Sequence, residues 1–438
     1  MEEVIDIGKY RNFIAETSLV KKSGKVKRIV GMIVEGDGPP VAVGSICIIK
    51  PINGKAPVQG QVVGFQDNKI LLMPLGDIYG VEPGSVIESA EETPTFSVTP
   101  HLMGRVIDGL GNPLDGKGQI PFGVQYPLMG VPINPMERKR VKQSLDLGIR
   151  SINGLLTCAM GQRIGIFAGT GVGKSILLGM IARNTTADVN VIALIGERGR
   201  EVLEFVEENL GQEGLEKSII IAATSDQPPP VRLRGAYIAT TIAEYFRDRG
   251  NNVLLMMDSL TRFALAQREI GLSAGEPPTT RGYTPSVFST LPRLLERAGT
   301  SASKGSITGL YTVLVESDDI SEPVSDALRA ILDGHIVLSR DLASHNHYPA
   351  IDVLNSVSRM MVEVISEEHY QLSMKIKDTL ATYREAEDLI NIGAYTPGSN
   401  PKIDQAIAKI EAIKEYLRQG IMEKSGIDES IERLNSLV

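Results

Sequence analysis

Residues 168 to 175 read Ala168-Gly169-Thr170-Gly171-Val172-Gly173-Lys174-Ser175, with a strand-like run, Arg163 to Phe167, before them and an apolar helical run, Ile176 to Arg183, after. A glycine-rich turn between a strand and a helix is the setting a phosphate-binding loop requires. Gly169, Gly171 and Gly173 lack side chains, so consecutive amides can wrap inward around phosphate oxygens at the positive end of the following helix. Lys174 then reaches the β- and γ-phosphates of a nucleoside triphosphate, and the Ser175 hydroxyl is placed to ligate Mg²⁺. Ala168 stands where the motif usually has its first glycine; a small residue still permits the turn. Ile176, Leu177, Met180 and Ile181 share one flank of the helix, which predicts that this flank anchors it to a sheet.

Outward from the loop, strands and helices alternate as in a parallel α/β sheet. The predicted strands are Arg163 to Phe167, Asn190 to Ile195, Ser218 to Ala223, Asn252 to Met257, Ile307 to Val315 and Gly334 to Leu338, with helices at Arg200 to Asn209 and Leu233 to Arg249. Near-continuous apolar runs such as Val253 to Met257 suit a sheet covered on both faces. Between about Val26 and Val86 the pattern changes to short runs, Val30 to Val34, Val41 to Ile49, Gln61 to Phe65 and Ile70 to Met73, separated by Gly, Pro and Asn, which predicts a small β-barrel. A long Gly/Pro-rich connector follows, too long for a simple loop, and reads as an entry into the next domain with short strands of its own. Beyond about Val362 only helical spacing remains, in Leu372, Ile376, Leu380 and Tyr383, in Ile403 through Leu417, and in Ile427 through Val438. The expected organisation is a docking segment at 1–23, a β-barrel at 24–94, a nucleotide-binding domain at 95–361 and a C-terminal helical domain at 362–438.

The 438 residues are 42% hydrophobic and 22% charged, ordinary proportions that allow large cores. A net charge of -8 argues against a nucleic-acid-binding machine. The two cysteines, Cys47 and Cys158, are too far apart for a metal knuckle or a disulfide framework, which predicts reduced thiols and a cytoplasmic location. Met1 to Glu16 mixes charges with Val4, Ile7 and Ile14 and lacks the apolar centre of a signal peptide, and no run is long enough to cross a bilayer, so any membrane role is expected to be peripheral.

Several polar residues stand where nucleotide chemistry would need them. Asp258 ends the apolar run Asn252 to Met257, where a carboxylate leaving the sheet can hold Mg²⁺ through water; a helix N-cap before Ser259-Leu260-Thr261 is the alternative. Glu197, after Asn190 to Ile195, could orient an attacking water, or could simply be a solvated acid at a helix start. Arg359 in Ser356-Val357-Ser358-Arg359 lies beyond the last predicted core strand; it could cross a subunit boundary as an arginine finger or form a surface ion pair. Arg262 reads as a bridge between acids near the site. Tyr348 could stack on adenine or sit half-buried in a core. His345 and His347 have the spacing of an exposed strand pair and read as solvated.

Together these motifs resemble the rotary and export ATPase family over about Gly24 to Ile392. Gly165 to Ser175, Gly196-Glu197-Arg198, Leu254 to Phe263 and Tyr348-Pro349-Ala350-Ile351-Asp352 through Ser358-Arg359 are similar to the catalytic β subunit of F-type ATP synthases. The strings Gly275 to Phe288, Leu291 to Gly299 and Ile331 to Arg340 bring the chain closer to the flagellum-specific ATPases of type III protein export and their virulence-secretion relatives. Thr284 and the stretch Ile392-Gly393-Ala394-Tyr395 favour the flagellar branch. The resemblance implies a RecA-like core that hydrolyses ATP with Mg²⁺. It implies that Lys174, Glu197 as water-orienting base and Arg359 as trans finger are catalytic. It also implies that Ala168, Gly169, Thr170, Gly171, Val172, Gly173, Lys174, Ser175, Ile176, Arg198 and Tyr348 contact the nucleotide, and that Ser175 and Asp258 serve the metal.

The implied assembly is a homohexamer around a coiled-coil stalk, with a stator-like dimer at the N-terminal segment and an export gate, chaperones and flagellar cargo as further partners. It would sit in the cytoplasm at the inner face of the membrane. One chain owning both a full catalytic set and Arg359 could close such a head-to-tail ring alone. A virulence-secretion ATPase and a catalytic subunit of an F/V-type rotary ATPase are the alternatives. A hexameric RNA helicase ranks lower, because residues 26 to 86 offer only Phe65 and Tyr79 for base stacking.

Overall fold

Hydrophobic alternation in the first part of the chain closes into a barrel. The structure, a computed structural model, describes residues 23–91, 94–302, 305–315 and 322–438; the expected docking segment therefore lies outside the described residues apart from its last position. Strands β1 (Ser23–Val30), β2 (Ile33–Asp37), β3 (Ile46–Lys50), β4 (Val58–Gln66), β5 (Lys69–Pro74) and β6 (Val86–Glu91) form a closed barrel in the order β1-β2-β5-β4-β3-β6. Val26, Val34, Cys47, Ile49, Val62, Ile70, Leu72 and Ile87 fill its interior. The run Val30 to Val34, expected as one strand, is instead a hairpin: β1 stops at Val30 and β2 starts at Ile33, with Gly31 at φ 56° turning the chain. Likewise only Ile46–Lys50 of the expected Val41 to Ile49 strand is extended. Gly44, at φ 95°, holds the preceding turn.

Residues Thr95–Arg268 and Pro278–Val438 form a second compact unit, built on a large sheet. The connector supplies short strands, as expected: β7 (Thr95–Val98) pairs with β9 (Val124–Pro127), and β8 (Val106–Asp108) extends the large sheet. Arg105 fixes the connector there through two hydrogen bonds to Asp115, at 2.6 and 2.9 Å. A two-residue pair, β10 (Ser144–Leu145) with β11 (Cys158–Ala159), precedes the core strands. These are β12 (Arg163–Ala168), β13 (Val189–Ile195), β14 (Ser218–Ala223), β15 (Asn252–Asp258), β17 (Ser306–Leu314) and β18 (Gly334–Leu338), close to the predicted ranges.

Sheet order is β19-β18-β12-β17-β15-β13-β14-β8, parallel except at one edge, where β19 (Ile351–Ser358) runs antiparallel to β18; the short β16 (Gly299–Thr300) pairs with β17. Thus β17 separates the strand leading into the phosphate loop from the strand ending in Asp258. No strand was predicted at Ile351–Ser358, because Asp352 and Asn355 interrupt its apolar run.

Helices Glu367–Asn391, Pro401–Leu417 and Ile427–Asn435 end the chain. The first two are capped at their starts, where Ser366 and Asn400 accept backbone N–H groups. Leu372, Ile376, Ile413, Tyr416, Leu417 and Leu434 enter the same apolar core as Ile152, Ile164 and Leu177, so these helices have a buried face in common with the sheet. Among the described residues no helix is long and apolar enough to cross a membrane.

Candidate active site

The carboxyl ends of parallel strands point the same way, and that edge of an open α/β sheet is where ligands bind. Here β12 runs into the glycine loop, β13 leads to Glu197, and β15 ends in Asp258. Gly171 and Gly173 take φ of 77° and 85°, a left-handed backbone that glycine adopts without a Cβ penalty. The helix Lys174–Asn184 starts directly from Gly173. Its Leu177, Leu178, Met180 and Ile181 are buried, whereas Ile176 is exposed and does not anchor it as expected.

Lys174 Nζ lies 2.5 Å from Asp258 Oδ1 and 3.3 Å from Glu197 Oε1. Burial opposes the Lys174 ammonium, but Asp258 and Glu197 outweigh it and hold its pKa above the usual value. Burial pushes the Glu197 carboxyl up to about 7; Lys174 opposes this rise, and Asp258 and a hydrogen bond with Glu201 add to it. Arg262 Nη2 stands 3.9 Å from Glu197 Oε2, consistent with its reading as a bridge to acids. Thr312, fully buried on β17, donates its hydroxyl to Asp258 Oδ1 at 2.6 Å.

Of the other expected residues, Tyr348 comes to the loop: a Cβ placed on Gly173 would lie 3.4 Å from its ring. Arg198 is exposed and pairs with Glu201 at 3.1 Å, so it meets the cluster only through that acid. Arg359 is not brought in. It follows β19, whose Ser358 pairs with Gly334 at the start of β18, while β18 runs parallel to β12 from Gly165 opposite His335 to Ala168 opposite Leu338. Four residues of strand, roughly 13 Å, therefore separate its level from the phosphate loop. Its guanidinium bonds instead to the Arg329 carbonyl at 3.3 Å. Within one chain Arg359 and Lys174 stand at opposite ends of the sheet.

Two residues escaped the sequence reading. Thr312 had a signal, a hydroxyl inside an otherwise apolar strand; Glu201 had none beyond its place one helical turn after Glu197. His347 departs from expectation, because it follows the helix Arg340–Ser344 and is 4% exposed, with no partner for Nε2, rather than solvated on a strand. Burial raises the thiols Cys47 to about 11 and Cys158 to about 12, so both stay protonated and inert near neutral pH.

The donors near Lys174 suit a hard cation. Asp258 and Ser175 present oxygen, and the Lys174 ammonium on Asp258 shows a carboxylate that accepts positive charge. Among the described residues no three His, Cys, Asp or Glu gather as a cage; Mg²⁺ needs none when nucleotide phosphates and water complete its shell.

Three family models match the chain. The nucleotide-binding domain of the ATP synthase alpha/beta family covers residues 148–358, the beta-barrel domain of the same family covers 26–90, and the T3SS EscN ATPase C-terminal domain covers 365–436. The flagellum-specific ATP synthase of Bacillus subtilis is 52% identical over 97% of both chains. The type 3 secretion system ATPase of Xanthomonas euvesicatoria is 47% identical over 97% of this chain and 96% of its own. Among solved structures, the assembled ATPase EscN of the enteropathogenic E. coli type III secretion system superposes with a TM-score of 0.89 at 44% identity, over 94% of this chain and 99% of that one. The same ATPase in complex with its central stalk EscO gives 0.87, again at 44% identity and over the same shares of the two chains. With barrel, sheet and helical end each matched in order, the chain is an ATP-hydrolysing member of the ATP synthase alpha/beta family, in the branch of flagellum-specific and type III secretion ATPases.

Proposed function

We propose that this chain is the Mg²⁺-dependent ATP hydrolase that energises flagellar type III protein export, releasing chaperones and unfolding cargo at an export gate. The observation that carries the hydrolytic part is the buried cluster of Lys174 between Glu197 and Asp258 at the carboxyl edge of the sheet. Entering phosphates offer Lys174 a more highly charged partner than either acid, and the lysine turns to the β- and γ-phosphates. Glu197, freed from the ammonium, accepts a hydrogen bond from a water and aligns it with the γ-phosphorus. The new P–O bond forms as the bond to the β-phosphate oxygen breaks and a proton of the water passes toward Glu197, giving ADP and inorganic phosphate. Ser175, and Asp258 through water, would hold Mg²⁺, which would supply neutralising charge for the phosphate oxygens. The loop from Ala168 through Ser175, with Ile176 following, cradles the phosphates, Tyr348 stacks on adenine, and Arg198 lies at the rim.

Arg359 serves a neighbouring copy. Its distance from Lys174 within the chain supports a ring in which each subunit lends a guanidinium to the next pocket, and closure at six copies follows the export ATPases. EscN has been solved both assembled and with its stalk EscO. A comparable coiled-coil stalk inside the ring, a stator-like dimer at the N-terminal segment and a peripheral position at the cytoplasmic face of the membrane complete the proposal. The flagellar branch rests on Thr284 and Ile392-Gly393-Ala394-Tyr395.

Mixing variants tests the shared pocket. Chains carrying Arg359→Ala and chains carrying Lys174→Ala, each inactive alone, regain phosphate release when mixed, since some seams pair an intact loop with an intact donor. No recovery in assemblies verified to be mixed overturns the arrangement. Pull-down of flagellar rather than virulence export components from the source lysate tests the branch.

A further inference from the structure

Strand order puts one residue in a place the hydrolytic cluster needs. β17 lies between β12 and β15, with Ile166 opposite Thr312 on one side and Met257 opposite Tyr311 on the other. Thr312 therefore occupies the strand flanked by the loop strand and the Asp258 strand. Its side chain is fully buried, where a hydroxyl without a partner is costly. A hydroxyl has one proton to donate. Thr312 donates it to Asp258 Oδ1 at 2.6 Å; the Met257 carbonyl, at 3.4 Å, is the distant second choice. Lys174 touches the same Oδ1 from the other side at 2.5 Å. Once the lysine turns to phosphate, Thr312 keeps its hold on that oxygen.

We propose that Thr312 is a positioning residue for the metal step: its hydroxyl fixes the rotation of the Asp258 carboxylate, so that the acid meets Mg²⁺ and its waters in one orientation. The inference rests on the reading of Asp258 as the metal acid. Outer partners that orient a direct metal ligand typically change metal affinity about 10- to 100-fold when removed, and because Asp258 acts through water the lower end of that range is expected here.

The experiment uses the full chain and Mn²⁺ as probe, titrated by electron paramagnetic resonance in the presence of a non-hydrolysable ATP analogue. Binding of the same analogue in EDTA is measured in parallel. Thr312→Val keeps the volume and loses the hydroxyl; it should weaken Mn²⁺ by about 10-fold or more while metal-free nucleotide binding stays within about twofold. Thr312→Ser restores the hydroxyl and should return Mn²⁺ affinity to within about threefold of the parent. Should Thr312→Val fail to fold, Thr312→Cys, whose thiol is a weak donor, takes its place with the same expectation. Unchanged Mn²⁺ affinity, or an equal loss in EDTA, overturns the proposal. Asp258→Asn separates the two readings: if it leaves Mn²⁺ binding intact, the metal role of Asp258 falls; if it weakens binding and Thr312→Val does not, only the role of Thr312 falls.

Discussion

Lys174 Nζ is closer to Asp258 Oδ1, at 2.5 Å, than to Glu197 Oε1, at 3.3 Å, so the loop cation rests mainly on the acid assigned to the metal and only secondarily on the one assigned to water. Nucleotide entry has to break both contacts, and the two acids then have separate fates. Asp258 keeps its bond from Thr312, while Glu197 retains Glu201 and a distant Arg262.

Glu197→Gln removes one of the two acids that hold the lysine yet preserves the shape of the side chain. ATP binding should stay equal to the parent or tighten, whereas phosphate release should fall by about 10²- to 10⁴-fold, the usual contribution of a positioned base. Fluorescent-nucleotide titration and a phosphate-release assay measure the two separately. Normal turnover in the variant would falsify the assignment.

A second prediction concerns an ion pair remote from the cluster. Arg297 is 2% exposed and donates Nε and Nη2 to the two oxygens of Glu244, at 2.9 and 2.6 Å, with Nη1 on the Leu128 carbonyl and Nη2 also on Thr241. It thereby ties the connector to the helix Pro229–Asp248. Glu244→Gln strands a buried cation and should cost about 3–5 kcal/mol. Lys50→Ala breaks a solvated barrel pair with Glu88 and should cost less than about 1 kcal/mol. Urea unfolding midpoints of the two variants rank them; equal shifts contradict the burial argument.

What the sequence made legible follows from how each feature is held. The core strands β12, β13, β14, β15 and β17 are near-continuous apolar runs, because the sheet is covered on both faces, and they announced themselves. β19 stayed hidden because Asp352 breaks its apolar run, yet is 8% exposed: it accepts locally from Leu354 and Asn355 and, through a contact that only the fold assembles, from Arg384. Lys174 stood out because it follows the glycine loop at a helix start, and Glu197 and Asp258 because each stands at or just beyond a strand end. Thr312 was not, since its meaning depends on β17 lying beside β15, a long-range pairing. For the same reason His347 looked solvated: nothing local says that α-helical packing from Lys414 to Arg418 will cover it.

That covered histidine predicts an acid-sensitive element. Burial, helped by Arg418 and Lys414, lowers His347 from 6.5 to about 4. A base with a depressed folded value takes up protons more readily when unfolded. Its contribution is therefore complete above about pH 6.5 and is lost as the pH falls toward about 4, by on the order of 3 kcal/mol. His347→Leu cannot charge, so its stability relative to the parent should improve steadily between pH 7 and pH 4.5. Denaturation midpoints of both proteins across that range provide the measurement; a constant difference between them contradicts the assignment.

The last prediction separates backbone strain from contact in the phosphate loop. Gly171 and Gly173 both have left-handed φ, 77° and 85°, so alanine at either should cost about 1–2 kcal/mol in loop conformation, close to tenfold in ATP affinity. A Cβ at Gly171 meets nothing within 4 Å, whereas one at Gly173 lies 3.4 Å from Tyr348 Cε1. At that distance contact is ordinary and the ring need not move, so Gly173→Ala and Gly171→Ala should weaken ATP about equally in a Tyr348→Ala background. In the parent background any excess loss at Gly173 reports contact of the new methyl with the Tyr348 ring. If the excess persists without the Tyr348 ring, the loop itself rather than the tyrosine distinguishes the two glycines.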